Sequence, residues 1–422
     1  MSLRRPCDEM DRANRGLLAL LMTGERSHAG DGHRFDVGDW AQVQAMAEQH
    51  RLCPLLHHLW QSGGEQAGIP APGIPAEVRA LWADAFRTSA LRALAAQATL
   101  MKVGSLLDQA GIPYAALKGA ALAWHAYPHP ALRPMRDIDI LVPLARAGEA
   151  YAALVAQGFI PEPADKTPVI VALRDHKHLP GLFDPQGKTR VEVHSRLFEH
   201  VAAAQDASLL CRTDDLLGGR VWSDFGQVRI AFLPATETLL HLLVHSAYEH
   251  RFDNGPQILH DVAALLARDR VDWARFWCLA GEGGWTRGCQ LLLGLTEQFC
   301  GAQPVEWGDP APPDIPAEML DHAALLMLQD TDLRQDLAVQ LELAHAGRVS
   351  WSGSRRLLSR LLAPRHVLAA YAGVAPHRRW IWRHYPAWLV SRLTRTLSGR
   401  WSRQQQTQVS RAMALGNWLE AR

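Results

Sequence analysis

Apolar residues recur at three- and four-residue steps through most of the first hundred positions of the chain. The stretches NRGLLALLM, DWAQVQAMAEQHRLCPLLHHLWQ and EVRALWADAFRTSALRALAAQATLMKVGSLLDQAG show this spacing, which collects apolar side chains on one face of a helix. The segment GIPAPGIPAE interrupts them with proline and glycine, so it must end one helix and begin the next. The pattern predicts a helical subdomain over residues 1–105.

Short apolar runs follow this subdomain. GIPYAALKG and RDIDILVP are typical of strands, the second with Ile138 and Ile140 on alternate positions. Between them AALAWHAYP has helical spacing, and LARAGEAYAALVAQGF is an amphipathic helix that ends at Gly158. HKHLPGLFDPQGKTRVEVHSRLF resembles two strands joined by a turn at DPQGK. A small mixed sheet with helices on one side is therefore predicted over residues 106–205.

Helical spacing returns at PATETLLHLLVHSAYEH and predicts a helical subdomain over residues 206–302. The proline-rich stretch GAQPVEWGDPAPPDIPAE predicts a linker over 303–319, and the remainder, 320–422, is predicted to be a basic helical tail. The predicted fold class is α+β, with a small mixed β-sheet core embedded in mainly helical N- and C-terminal segments.

Composition indicates a soluble globular protein of the cytoplasm. The 422 residues are 48% hydrophobic and 21% charged, and the length suffices for more than one structural unit. The six cysteines form no C-x-x-C pair, so reduced thiols are expected, and the sequence shows neither a signal peptide nor an apolar run of membrane-spanning length. A net charge of +1 gives no global sign of nucleic-acid affinity.

The tail differs from the rest of the chain in charge. From residue 346 onward it has fourteen arginines against one acid, Glu420, and Trp380, Trp382 and Trp388 are interspersed among them. A helix packed on the core with its arginines outward explains this pattern. The alternative is peripheral contact of the basic, Trp-bearing tail with an anionic membrane or with nucleic acid.

Two aspartates one residue apart make the strand RDIDILVP a candidate site. Alternate side chains of a strand share a face, so Asp137 and Asp139 project together. Two carboxylates this close repel each other, and a divalent cation between them removes the repulsion. Oxygen ligands without a nearby cysteine favour Mg²⁺ or Mn²⁺, and Mg²⁺ usually completes its coordination with water and substrate phosphates. The pair predicts a metal site and a phosphate-bearing substrate; the alternative is an exposed edge strand with solvated acids.

The residues around this pair suit a phosphate group. Gly119 allows backbone N–H groups to approach an anion, and a helix that starts near Ala120 would direct its N-terminus at that anion. Lys118 is expected to hold phosphate oxygens, and the alternative is a surface lysine whose amine extends into solvent. Arg133 or Arg136 would hold further oxygens, and neutralisation of the aspartates explains these arginines equally well.

A third acid lies on the strand TRVEVHSRL. Glu192 and His194 alternate with two valines, so they lie on the opposite face from the valines. Glu192 is expected to complete a metal site or to accept the proton of an attacking hydroxyl, and the alternative is a salt bridge to Arg190 or Arg196. His194 is the histidine of this hairpin that we expect at the nucleotide.

Further polar residues lie on the later helices. His241 and His245 are four residues apart in LLHLLVHSAYEH, but the glutamate of the zinc motif H-E-x-x-H is missing, so packing or polar contacts are expected for them. Asp261 in LHDVAALL is expected to be an acid on a helix face, with contact to substrate as the alternative.

These motifs, in this order, resemble the polymerase-β-like nucleotidyltransferase superfamily: a glycine-containing strand-to-helix turn, an aspartate pair and a lone acid on a later strand. More narrowly, LKGAALAWHAYPHPALRPMRDIDILVP, VEVHSRL and LLHLLVHSAYEH…LHDVAALL look like a mostly uncharacterised bacterial nucleotidyltransferase family. The resemblance covers roughly residues 15 to 300. The usual Gly-Ser of the superfamily is Gly119-Ala120 here, and the gap from Gly119 to Asp137 is longer than in most members.

The resemblance implies metal-dependent transfer of a nucleoside monophosphate from an NTP to an acceptor hydroxyl, with release of pyrophosphate. Asp137 and Asp139 would bind Mg²⁺ or Mn²⁺, Glu192 would be the third carboxylate, and Lys118 and Gly119 would line the triphosphate. The acceptor implied is a small molecule, a peptide or a protein, because no basic groove for nucleic acid accompanies the motif. The alternatives are a non-catalytic nucleotide-binding or regulatory module, and a phosphate-linked modification such as glycosyl transfer to a peptide or protein.

Overall fold

A computed structural model describes residues 37–63, 74–163, 165, 167–199, 213–301, 303–307, 315–329, 379–390 and 403–421. The chain forms two compact units. The first contains Met1–Glu162 and Thr167–Leu328, and the second contains Pro163–Lys166 and Gln329–Arg422. The predicted helix in NRGLLALLM lies outside the described residues, and the boundaries predicted at 105, 205, 302 and 319 stay predictions.

Helices account for most of the described chain. The spacing of apolar residues in the sequence predicts most of the helices of the first unit. In chain order the α-helices are α1 (Val37–Gln49), α2 (Cys53–Gly63), α3 (Ala76–Gln109), α4 (Lys118–Ala121), α5 (Ala147–Ala156), α6 (Val169–Asp175), α7 (Thr213–Gly218), α8 (Ala235–Val244), α9 (Gln257–Arg268), α10 (Trp273–Glu282), α11 (Thr286–Cys300), α12 (Ala317–Met327) and α13 (Arg403–Glu420). Two π-helical turns, Leu122–Ala126 and His245–Glu249, continue α4 and α8 directly.

One mixed sheet forms the centre of the first unit. Its seven strands lie in the order β3-β4-β5-β2-β1-β7-β6, where β2 runs parallel to β5 and antiparallel to β1. The α+β fold class predicted from the sequence is confirmed. The strands are β1 (Ala115–Ala116), β2 (Asp137–Leu141), β3 (Ile160–Pro161), β4 (Leu182–Phe183), β5 (Arg190–His194), β6 (Val221–Phe225) and β7 (Val228–Phe232).

The hairpin of β6 and β7 is absent from the expectations drawn from the sequence, which end the sheet near residue 205. Its two-residue loop begins with Gly226 at φ +63°, the left-handed conformation that glycine adopts readily in tight hairpins. The strand β7 runs parallel to β1, with Ala116 opposite Phe232. This pairing joins positions more than a hundred residues apart, so local periodicity could not reveal it.

One face of the sheet packs into the core and the other carries polar groups. Ile138, Ile140, Val191 and Val193 are buried in a cluster that includes apolar residues of α3 and α5. The residues that alternate with them on β2 and β5 therefore project from the opposite face. This alternation separates the hydrophobic core from the candidate site.

The second unit contains part of the basic tail. Trp380 and Trp382 are exposed there, whereas Trp388 is buried and lies against Tyr385 with ring centroids 5.7 Å apart. Peripheral membrane contact by this segment stays a prediction. No helix among the described residues combines the length and the apolar character needed to cross a bilayer.

Candidate functional site

The register between β2 and β5 brings the predicted acids together. In this parallel pair Asp137 lies opposite Arg190, Asp139 opposite Glu192, and Leu141 opposite His194. Since alternate residues of both strands share a face, all three predicted carboxylates project from the same side of the sheet.

Asp139 is the centre of this group. The Nζ atom of Lys118 lies 3.2 Å from its Oδ2 atom, and the Nε2 atom of His194 lies 2.7 Å from its Oδ1 atom. Burial raises the pKa of Asp139, but the charge of Lys118 and the contact with His194 outweigh burial and hold that pKa well below its usual range. The three carboxylates likewise raise the pKa of Lys118 against the effect of burial. Asp139 and Lys118 therefore form a buried ion pair.

Glu192 completes the cluster from the neighbouring strand. One ligand atom each of Asp139, Glu192 and His194 lie within 4.8 Å of one another. Arg190 contacts both Glu192 and Glu162, so the salt bridge considered as an alternative does form, and it lies inside the site. Burial raises the pKa of Glu192, but the hydrogen bond with His194 lowers it to about 2.

Asp137 lies at the more open side of the group. Its side chain is 33% exposed and its Oδ2 atom is 3.5 Å from the Nη1 atom of Arg190. Burial, together with the negative charges of Asp139 and Glu192, raises the pKa of Asp137 to about 6. A bound cation would therefore favour the ionised form of Asp137 by offsetting these negative charges.

The turn after β1 has an uncommon backbone. Lys118 adopts φ +44°, a left-handed conformation that is rare for a residue with a side chain. A Cβ atom on Gly119 would lie 3.0 Å from Cγ of Met135 and 3.2 Å from Nη1 of Arg133, so any side chain here would require these two neighbours to shift by a few tenths of an ångström. The left-handed backbone of Lys118, beside Asp139, is energetically unfavourable, and such conformations are common at functional sites.

The remaining predicted phosphate contacts differ in their surroundings. The methyl group of Ala120 is buried in the core, and its N–H donates to the carbonyl oxygen of Leu117 at 3.1 Å. Arg136 is exposed and forms no ion pair with any described residue. The part that these two residues play in binding a nucleotide stays a prediction.

Arg133 forms a buried ion pair with Asp261 of α9. Its Nη2 atom lies 2.8 Å from Oδ2, its Nε atom lies 3.0 Å from Oδ1, and the hydroxyl of Tyr127 donates to the same carboxylate at 2.8 Å. Asp261 is 1% exposed, so it is more deeply buried than the acid on a helix face expected from the sequence. The pair holds the loop after α4 against α9 and fixes the approach of Arg133 to Gly119.

A second polar group lies at the end of α8 and in the π-helical turn that follows. The Nδ1 atom of His245 lies 2.6 Å from Oε2 of Glu249, and Lys177 contacts the same oxygen. The rings of His241 and His245 are 5.9 Å apart. The polar and packing contacts expected for these two histidines are present, whereas the sequence offered no signal for the glutamate and the lysine beyond their residue type.

We expect the stability of the first unit to fall as the pH decreases below about 6.5. Burial and the charge of Lys118 lower the pKa of His241 well below its ordinary value and that of His245 to about 3. Between pH 6.5 and 3 the unfolded chain therefore binds more protons at these histidines than the folded chain, so folding becomes less favourable as the pH falls. For each histidine with such a shift, the free energy of unfolding falls by about 2 kcal/mol when the pH decreases from 6.5 to 5.

Urea unfolding at several pH values measures this effect. The variant His245→Asn should depend less on pH than the wild type, and the exposed His176→Asn should match the wild type. Equal pH dependence in His245→Asn and wild type would contradict the assignment.

One protein family matches the part of the chain that contains this site. A family model described as an uncharacterised nucleotidyltransferase matches residues 36–301. That range contains the whole sheet and every residue of the two polar groups described above. No curated protein shows significant sequence similarity to the chain.

Proposed function

This chain belongs to the family of uncharacterised nucleotidyltransferases, and from that premise we propose that it moves a nucleoside monophosphate from an NTP to an acceptor hydroxyl with Mg²⁺ or Mn²⁺. Pyrophosphate is the second product. We further propose that the sheet of β1, β2 and β5 is a polymerase-β-like catalytic core, with Asp137, Asp139 and Glu192 as its three carboxylates.

The observation that carries the proposal is the set of three acids on one face beside a buried lysine. Four carboxylates and two cationic side chains meet there, so the net charge of the group is −2, which one divalent cation balances. Carboxylate oxygens are the ligands that Mg²⁺ and Mn²⁺ prefer. The acids are Asp137, Asp139, Glu162 and Glu192, and the cations are Lys118 and Arg190.

The residues present therefore fit a divalent metal ion. Asp137, Asp139 and Glu192 would hold it, and His194 would orient Asp139 through the hydrogen bond at 2.7 Å. A bound metal ion supplies stabilisation of negative charge on the attacking and leaving oxygens of an in-line displacement.

The surrounding residues bind and orient the triphosphate in this proposal. Lys118 exchanges part of its contact with Asp139 for phosphate oxygens, and Gly119 lines the triphosphate with its backbone, because Met135 and Arg133 lie against the position of a side chain there. Arg136, exposed beside Asp137, is free to contact the outer phosphates. Arg133 contributes indirectly, because its pairing with Asp261 fixes the loop against Gly119.

Metal removal tests the proposal directly. The purified full chain is incubated with each of the four α-labelled NTPs, Mn²⁺ or Mg²⁺, and a cell extract as the source of acceptors. We expect incorporation of label and release of pyrophosphate with either metal, loss of both with EDTA, and recovery when excess metal is added, because the carboxylates repel the triphosphate unless a cation neutralises them.

A second readout separates this function from the alternatives. Binding of NTP without any transfer would favour the non-catalytic module, and transfer that persists at full rate in EDTA would contradict the metal assignment. A nucleotide-sugar donor replacing the NTP in the same assay tests glycosyl transfer.

A further inference from the structure

We propose that His245, oriented by Glu249, receives the hydroxyl group of the acceptor and takes its proton during transfer. The inference rests on the proposed function and adds the acceptor side of the site to the nucleotide side. It also restricts the reacting group of the acceptor to a neutral hydroxyl, an alcohol or a phenol.

The contacts of Glu249 determine which nitrogen of His245 carries a proton. Glu249 is buried, Lys177 contacts its Oε2 atom, and the backbone N–H of Glu199 donates to its Oε1 atom at 2.9 Å. These contacts and the hydrogen bond with His245 lower the pKa of Glu249 despite burial, so the group is a carboxylate. A carboxylate only accepts hydrogen bonds, so the Nδ1 atom of His245 donates to it, and in the neutral ring Nε2 carries a lone pair.

The free nitrogen is accessible while its carboxylate partner is not. The side chain of His245 is 17% exposed and that of Glu249 is 4% exposed. The Nε2 atom of His245 has no hydrogen-bond partner among the described residues. Nearby, the Nε2 atom of His241 is buried and also lacks a hydrogen-bond partner within the described part of the chain.

Helix α8, which continues directly into His245, packs against α4, the short helix that begins with Lys118. After burial, the charge of Lys118 is the largest influence that lowers the pKa of both His241 and His245, and the ammonium of Lys118 is 3.2 Å from Asp139. His245 is therefore close enough to the lysine to respond to its charge. His194 also contacts a carboxylate in this region, but its side chain is fully buried, whereas that of His245 is partly accessible.

The backbone at His245 is shaped unusually. His245–Glu249 form a π-helical turn, and Arg251 and Phe252 then adopt φ +49° and +65°. Short π-helical insertions occur frequently at functional sites, and left-handed non-glycine residues are costly unless the surrounding structure holds them. Phe252 is fully buried, and its N–H donates to the carbonyl oxygen of Ser246 at 2.8 Å. The π-helical turn places His245 and Glu249 within hydrogen-bonding distance.

The proton and electron pairs balance in the following step. The acceptor hydroxyl donates a hydrogen bond to Nε2 of His245, and its oxygen forms a bond to the α-phosphorus of the NTP. The bond between the α-phosphorus and the oxygen bridging to the β-phosphate breaks, and its electron pair leaves with pyrophosphate. The hydroxyl proton moves to Nε2, and Glu249 stabilises the imidazolium through Nδ1–H.

Charge explains why this base works only with nucleotide bound. An anionic triphosphate at Lys118 offsets the positive charge that lowers the pKa of His245, so the pKa rises toward the range in which a histidine accepts protons. Glu192 is less suited to this task because Arg190 and His194 already contact it. An ionised carboxylate acceptor has no proton to give to Nε2.

The test compares His245→Ala with the wild type in the labelled-NTP assay, using Mn²⁺ and the same cell extract. We expect the transfer rate of His245→Ala to fall by about 10²- to 10⁴-fold while the Kd for the NTP changes less than about threefold. Added imidazole should raise the transfer rate of His245→Ala at least about tenfold. If His245 had only a structural role, imidazole would not restore the rate. The matched control is His125→Ala, since His125 also lies 2.8 Å from a carboxylate, that of Asp269, outside this group.

The outcomes separate the two levels of the proposal. If the wild type transfers label and His245→Ala, folded by thermal unfolding, keeps its rate or loses it without rescue by imidazole, the role of His245 is overturned while the proposed function stands. If His125→Ala loses the rate to the same extent, the specific role is also overturned. If the wild type transfers no label from any NTP, the proposed function fails and this inference fails with it.

Discussion

Replacing Asp139 with asparagine should lower the rate of nucleotidyl transfer by about a thousandfold or more. Asp139 is the acid that contacts both Lys118 and His194, and its ligand atoms lie within 4.8 Å of those of Glu192. The amide removes one negative charge from the group that would hold the metal ion. A loss of several kcal/mol of charge stabilisation in the transition state corresponds to about three orders of magnitude in rate.

Two further variants make this expectation specific. Asp137→Asn removes a carboxylate that is 33% exposed, so it should lower the rate strongly with less effect on folding than Asp139→Asn. The control Asp224→Asn, on an exposed strand position of the same sheet, should transfer label at the wild-type rate. Equal label incorporation by wild type, Asp137→Asn and Asp139→Asn would show that these carboxylates do not act in the reaction.

The second large effect concerns stability. Asp261→Asn should decrease the free energy of unfolding of the first unit by about 3–5 kcal/mol, because it leaves the guanidinium of Arg133 buried without its counter-charge. Asp261 also accepts the hydroxyl of Tyr127, so the substitution disturbs a second buried donor. Urea unfolding of the wild type and the variant at pH 7.5 measures the difference.

Tyr127→Phe provides the matched control for that measurement. It removes one hydrogen bond to Asp261 and leaves the ion pair in place, so a loss of about 1 kcal/mol is expected. A loss in Asp261→Asn no larger than that of Tyr127→Phe would mean that the ion pair contributes little. Because Arg133 approaches Gly119, Asp261→Asn should also weaken NTP binding, whereas Tyr127→Phe should leave it nearly unchanged.

The local pattern of the sequence predicted the parts of the site that lie on single strands. Alternation of Asp137, Asp139 and Glu192 with apolar neighbours was enough to assign them to the face opposite the core, and the structure has them there. The turn at Lys118 and Gly119 was also recognisable locally, because glycine after a short apolar run is typical of a turn between elements. Two-residue periodicity is a local property of the strand backbone, so it can be read directly from the residues.

Long-range contacts decided the features that the pattern missed. The hairpin of β6 and β7 depends on pairing with β1, and Asp261 depends on a partner 128 residues away. Arginine suits phosphate, and contact of Arg133 with the nucleotide stays a prediction, whereas the pairing of its guanidinium with that buried aspartate came only from the structure. Nothing in the neighbouring residues of the sequence distinguishes these two uses of an arginine.

The sequence by itself determined the α+β class, the acids of the candidate site and the side of the sheet on which they lie. Only the tertiary structure decided that β2 and β5 are parallel neighbours in a register that sets Asp139 opposite Glu192. It also decided that His245, Glu249 and Lys177 meet at the end of α8, a helix that packs against α4. The reason is physical: periodicity depends on the geometry of one element, whereas register and ion pairing depend on which elements are packed together. A reactive site depends on both local periodicity and tertiary packing, because residues far apart in the chain shift the pKa values of its groups and orient its ring nitrogens.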